Sequence, residues 1–314
     1  MITNELSEPI ELVSMKDAAR YVEAFHDVAG QPIGVSCGLP NAENLYRIVK
    51  GQLCIITGIP SAGKSEIIDQ MAVRTIYDEG WNWCYYSPEN MPIERHASKI
   101  IEKAAQVPFG PFHKNRLTKR EVVDFCHAIG EHVHFIQATQ DQDADLEWTL
   151  KTFEAAHKKH GLDAMVLDPW QELCFHREPH LAEHEYIKRT LTLLRRWARD
   201  REIALFIVAH PKNMNKGDDG NYPVPTPYDI SGGAVWRNSA DACLSVYRNY
   251  FVGNEADRSG LVKVYVQKIR ERLSGEIGSA EMYWSIKTGC YYSTISARLA
   301  AEDALDARGK VAQL

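Results

Sequence analysis

Apolar positions along the chain fall into two alternating patterns. Short unbroken apolar runs at 53–57 (LCIIT), 81–87 (WNWCYYS), 132–136 (HVHFI), 163–168 (DAMVLD) and 203–210 (IALFIVAH) read as strands. Because these runs are continuous and not alternating, they are expected to be buried on both faces of a mostly parallel sheet. Between them, helical spacing marks 65–77, 92–106, 118–129, 145–159 and 181–201. In the last of these, Ile187, Leu191, Leu194 and Ala198 share one face. An earlier helix at 15–28 aligns Ala18, Val22 and Phe25, and Gly30, Pro32 and Gly34 end it; the first dozen residues read as a polar tail. Residues 211–240 are a Gly- and Pro-rich loop region with room for a short helix. Runs at 243–248, 261–269, 280–286 and 290–293 then follow closely, as strands joined by hairpins would. The expected fold is α/β: one domain with an antiparallel C-terminal extension and a short N-terminal helical arm, divided as 1–39 and 40–314.

Composition narrows the function classes. A chain of 314 residues, 45% hydrophobic and 25% charged, can bury a sizeable core, which excludes disorder over most of its length. No apolar run approaches the ~20 residues of a membrane-spanning helix. The opening MITNELSEPIEL lacks the basic start and apolar stretch of a secretory signal. Lys and Arg total 36 against 42 Asp and Glu, a net charge of −6. That excludes a globally basic nucleic-acid binder but leaves a local basic patch open. The seven cysteines contain no CxxC pair; Cys54, Cys84 and Cys243 lie in apolar runs, as buried reduced thiols of a cytoplasmic protein do.

The strongest chemical signal is Gly58-Ile59-Pro60-Ser61-Ala62-Gly63-Lys64-Ser65, which fits G-x-x-x-x-G-K-[ST]. Its glycines let backbone N–H groups turn inward around a phosphate, and the helix that begins there adds its positive dipole end. Lys64 would reach the β- and γ-phosphates and Ser65 would ligate Mg²⁺. The required context is present, with a strand ending at Thr57 and a helical pattern starting at Lys64. Asp168 ends a later strand, where such proteins hold the Mg²⁺ shell, although a strand-end Asp opening a turn before Pro169 has the same pattern. Glu89, just past the second strand, is placed to activate a water; its spacing equally suits a carboxylate at a helix N-terminus. A third constellation, His176, His180 and His184, is set aside as a zinc site because Pro179 interrupts the helix that would align it.

Five segments in order, TGIPSAGKSEIIDQ, YYSPENMPIERHASKI, VLDPW, VAHPKN and YDISGGAVWRNSADACLSVYR, together resemble the helicase domain of ring-shaped replicative helicases. The resemblance covers about residues 40–295. It is to the DnaB-like, RecA-fold group, nearest the phage primase–helicase and Twinkle branch. It implies a RecA-like P-loop NTPase core that binds ATP and Mg²⁺. It further implies a hexamer moving 5′ to 3′ on single-stranded DNA, with nucleotide held between subunits and a replisome primase or polymerase as a further partner. By position, Glu89 matches the catalytic Glu and Asp168 the Mg²⁺-shell Asp. His210 matches the residue that senses the γ-phosphate; a strand-end His capped by backbone is the other reading.

Lys268-Ile269-Arg270 matches the pair that faces a neighbour's nucleotide, with Arg270 as the arginine finger and Arg272 as its rival. Tyr283 or Trp284 falls where the family stacks an aromatic on the base, and core packing is the alternative for both. Lys212, Asn213 and Lys216 match a loop lining the DNA channel, and Ser231-Gly232-Gly233-Ala234 with Arg237 match the next motif. The acidic GDDG that follows Lys216 weakens such a grip, and a polar surface loop is the competing reading. The helix at 15–28 resembles the linker helix that clasps an adjacent subunit. No primase-type or zinc-binding segment fits before residue 40, so primer synthesis is not expected. A phage or bacterial cytoplasm is the expected location, since no Arg-rich, acid-poor presequence is seen. Two other uses of a RecA core remain: a DNA-binding recombination mediator, and a regulatory ATPase indifferent to DNA.

Overall fold

A computed structural model of the chain describes residues 14–27, 33–111, 113–138, 144–173, 181–212, 214–252 and 255–311. The polar tail, Gly30, Pro32, His176, Pro179, His180 and Asn213 lie outside the described residues. In chain order, α1 (Met15–Asp27) is followed by a strand pair, β1 (Val35–Ser36) and β2 (Arg47–Ile48). Then come β3 (Leu53–Thr57), α2 (Lys64–Glu79), β4 (Trp83–Tyr86), α3 (Ile93–Ala105), α4 (Lys119–Ile129) and β5 (Val133–Ile136). The chain continues through α5 (Leu146–His160), β6 (Ala164–Leu167), α6 (Glu183–Asp200), β7 (Ala204–Val208), α7 (Ala234–Ser239) and β8 (Ala242–Tyr247). A small pair, β9 (Phe251–Val252) and β10 (Glu255–Ala256), precedes β11 (Leu261–Ile269), β12 (Gly278–Trp284), β13 (Tyr291–Tyr292) and α8 (Ile295–Val311).

Nine strands form one sheet in the order β13-β12-β11-β8-β3-β7-β6-β4-β5. The six from β8 to β5 run parallel, and β11, β12 and β13 extend the sheet antiparallel from β8. This is the mostly parallel sheet with an antiparallel C-terminal extension that the apolar runs predict. Strand period explains why those runs are continuous: Cys54 and Ile56 face one core, Leu53 and Ile55 the other. β7 repeats the pattern, with Phe206 and Val208 on the first side and Leu205 and Ile207 on the second. Helices cover both faces. Ile67, Ile68 and Met71 of α2 and Ile100 of α3 close one side; Phe153 of α5, Leu191 and Leu194 of α6 and Trp236 of α7 close the other. Cys37 and Leu39 are fully buried, so core packing begins near β1.

Two outer helices differ from the rest. In α1, Met15, Tyr21, Val22 and Phe25 are all exposed, so the apolar stripe read in the sequence has no cover among the described residues. α8 is absent from the sequence reading; it lies beside β12 and β13 and anchors Leu305 against Ile101, Val107 and Leu117. No helix among the described residues is long and apolar enough to cross a membrane.

Candidate functional site

The glycine-rich loop leaves the C-terminal end of β3, a central strand, and enters α2. That end of a parallel sheet, flanked by strands on both sides, is where α/β proteins bind ligands. At Gly58 the loop packs too closely for a side chain: a Cβ there would come 2.5 Å from the Val246 carbonyl. The loop, Glu89, Lys99, Asp168, His210, Arg248, Trp284 and Tyr291 line one cavity of about 730 Å³.

Lys64 Nζ donates to the carbonyls of Gly58 (2.9 Å) and Ile59 (3.2 Å). Burial lowers its pKa to about 8, opposed by the negative charges of Asp168 and Glu89. Ser65 Oγ donates to Asp168 Oδ2 at 2.5 Å. Burial raises the Asp168 carboxyl above its ordinary range, and the Ser65 hydrogen bond opposes the rise. A hydroxyl and a carboxylate so close together are the hard oxygen donors that Mg²⁺ takes, so the residues present fit that ion.

Other contacts hold these groups. Asn90 Nδ2 donates to Ser87 Oγ (2.8 Å) and reaches Asp168 Oδ2 (3.4 Å), while Lys99 Nζ donates to Asn90 Oδ1 (3.2 Å). His210 Nε2 lies 3.5 Å from Glu89 Oε1. Burial, with the Lys64 charge beside it, holds the imidazole below its ordinary pKa, so the ring facing Glu89 is neutral at pH 7. Gln171 grips His210 by the backbone: its Nε2 donates to the His210 carbonyl (3.2 Å) and its Oε1 accepts from the His210 N–H (3.3 Å). Trp284 lines the cavity and Tyr283 does not, since adjacent residues of β12 face opposite ways.

Sequence reading missed Asn90, Lys99, Gln171, Arg248 and Tyr291. Arg248 follows the apolar run that forms β8, the position at a strand's C-terminal tip where a binding residue is expected; the other four carry no such signal.

Arg270 and Lys268 lie elsewhere. The Arg270 N–H donates to the Asp241 carbonyl (2.9 Å), and the Asp241 N–H donates to the Leu53 carbonyl (2.8 Å). They therefore sit at the start of β3, whose length puts them roughly 13 Å along the strand from the loop. Lys268 Nζ donates to the carbonyls of Arg237 (2.5 Å) and Ala240 (2.6 Å).

The expected DNA segments adjoin each other. Pro211 bridges Ile230, and the Lys212 N–H donates to the Asp229 carbonyl (2.7 Å). The exposed Lys216 sits over the rings of Tyr222 (5.3 Å) and Tyr250 (5.9 Å), and the Tyr250 hydroxyl donates to the Pro60 carbonyl of the phosphate loop. Gly232 lies against α6, where a Cβ would meet Ile187 Cδ1 at 2.7 Å; Gly233 follows it at the N-cap of α7. The Arg237 guanidinium lies over Tyr228 (5.9 Å).

A phosphate loop on a central parallel strand, its serine bonded to a carboxylate at the tip of another strand, defines a P-loop NTPase with a RecA-like core. The family model of the DnaB-like helicase C terminal domain matches residues 34–292, and the chain belongs to that family. It is 34% identical over 285 residues to the "Twinkle homolog protein, chloroplastic/mitochondrial" of Arabidopsis thaliana. The match covers 89% of this chain but 39% of that relative, so the chain spans about two fifths of its length. Among solved structures, the "ATPase Domain of G40P" superposes with a TM-score of 0.71 at 15% identity, covering 90% of this chain and all of that one. A DnaB-like replicative helicase, solved in a study of its interactions with primase, gives a TM-score of 0.68 at 17% identity, covering 90% and 67%. These two likenesses speak to the fold.

Proposed function

We propose that the chain is the motor domain of a ring helicase, hydrolysing ATP between subunits to move along single-stranded DNA. The observation that carries this reading is the separation of two half-sites. One end of β3 holds the phosphate loop, Lys64, Glu89, Asp168 and His210; the other holds Arg270 and Lys268. A chain does not bring its own Arg270 to its own loop across that strand, and this separation supports the reading in which a second copy supplies it.

In this mechanism the loop N–H groups and Lys64 hold the triphosphate, and Ser65 and Asp168 hold Mg²⁺. The ion supplies charge neutralisation at the phosphates. Glu89 accepts the proton of the attacking water, and the neutral His210 beside it registers the γ-phosphate through the backbone held by Gln171. Trp284 stacks on the base. A neighbour's Arg270, with Lys268, neutralises charge on the transferring phosphoryl group. Lys212, Lys216, Gly232, Gly233 and Arg237 contact the DNA backbone, with Asn213 in the same loop.

A hexamer with 5′ to 3′ movement, replisome partners, a cytoplasmic location and the division into an arm (1–39) and an ATPase domain (40–314) belong to the same proposal. The exposed stripe on α1 supports a role in clasping the adjacent subunit. Deleting residues 1–30 should shift sedimentation toward smaller species; an unchanged oligomer would remove that role. The direct test is ATP hydrolysis with and without single-stranded DNA, at a concentration that permits assembly. Strong stimulation by DNA is expected. Turnover indifferent to DNA would leave a regulatory ATPase, and DNA-dependent turnover without translocation on a forked substrate would leave a recombination mediator.

A further inference from the structure

Asp241, immediately before β8, is buried with 4% of its surface exposed. Arg195 of α6 grips it with both arms of its fork, Nε to Oδ2 at 2.9 Å and Nη2 to Oδ1 at 2.6 Å. The Leu53 N–H adds a third hydrogen bond at 3.0 Å. Arg270 then approaches the same carboxylate, with Nε 3.0 Å from Oδ1. Two guanidinium groups therefore share one negative charge. Lys268, beside them, donates to the carbonyls of Arg237 and Ala240.

We infer that Asp241, clamped by Arg195, is the positioning residue for Arg270, setting the berth from which the finger reaches a neighbour's phosphate. This rests on the trans role of Arg270 proposed above. The geometry favours departure of Arg270 over Arg195. When Arg270 leaves, Asp241 keeps the Arg195 fork and the Leu53 N–H, so no buried carboxylate is left bare. Arg270 gives up one ion contact and two long bonds from Nη2 to the carbonyls of Asn238 (3.3 Å) and Ala240 (3.2 Å). Those carbonyls, and the ones that hold Lys268, belong to the C-terminal end of α7. The N-terminal end of α7 is the Gly232-Gly233 turn, so any displacement of that turn reaches the berth through one short helix.

The test uses the full chain under assembling conditions, measuring DNA-stimulated ATP turnover for Asp241→Asn, Arg270→Ala and the double variant. Asp241→Asn should lower kcat about tenfold or more while KM for ATP stays within about twofold, because it acts on a charge-assisted contact made across the interface. Added to Arg270→Ala it should cost nothing further. Mixed with Glu89→Ala subunits, whose own finger is intact, Asp241→Asn subunits should regain turnover. Arg195→Lys tests the berth without emptying it: Asp241 leans harder on Arg270, and kcat should fall about threefold, again restored by mixing. The inference is overturned if Arg195→Lys leaves kcat unchanged, or if mixing restores Arg270→Ala but neither berth variant. If Arg270→Ala itself turns over like the unaltered chain, the trans finger fails, and the berth fails with it for that separate reason.

Discussion

Arg270→Ala should lower DNA-stimulated ATP turnover by about 10³-fold or more while leaving nucleotide affinity within about twofold. An arginine supplied to a transferring phosphoryl group contributes ~10³–10⁵ in rate because it neutralises charge that grows only as the transition state forms. The position of Arg270 makes the loss specific to turnover. It lies at the opposite end of β3 from the loop, so its own subunit's binding contacts are untouched. Arg272, two residues on and exposed, is the internal control: its removal should leave turnover near that of the unaltered chain. Steady-state hydrolysis together with binding of a fluorescent ATP analogue separates the two effects. Turnover within tenfold for Arg270→Ala, with a large loss for Arg272→Ala, would move the finger to the rival.

Lys64→Ala should weaken ATP binding by about 10²-fold or more, the scale expected when one partner of a buried charged contact is removed. The lowered pKa of Lys64, about 8, gives this site a pH signature. Burial disfavours the ammonium, and a phosphate brought beside it restores what burial takes away, so binding draws a proton onto Lys64. Affinity in the unaltered chain should therefore fall as pH rises through about 8, where the free lysine loses its charge. Lys64→Ala should show no such fall over that range. Calorimetric titrations near pH 7 and pH 9 would check both, and an unaltered pH slope in the variant would remove Lys64 as its source.

What could be read in advance divides by how locally each feature is determined. β3 and β7 are legible because strands buried on both faces leave uninterrupted apolar runs, and the phosphate loop because eight consecutive residues do its work. Arg248 joins the same cavity only because the strand order sets β8 directly beside β3. The choice between Tyr283 and Trp284 depends on the register of β12 against β11, where Tyr283 stands opposite Leu261. Asn90 and Gln171 act by holding Asp168 and His210, residues distant in the chain, and a polar residue after a strand carries no mark of that. α8 escapes because its sequence, ISARLAAEDALDARGKV, interleaves alanines and charges without an apolar stripe.

The placement of the half-sites at opposite ends of β3 also bears on inheritance. On the proposed reading, each chain takes part in two catalytic centres, lending its loop to one and its Arg270 to the other. A cell making equal amounts of normal and doubly defective chains would then keep about a quarter of its centres intact, if subunits mix at random. A chain defective at both ends of β3 would then remove more than its own share of centres, whereas a lesion that only prevents folding would remove its own chain and leave the normal assemblies whole.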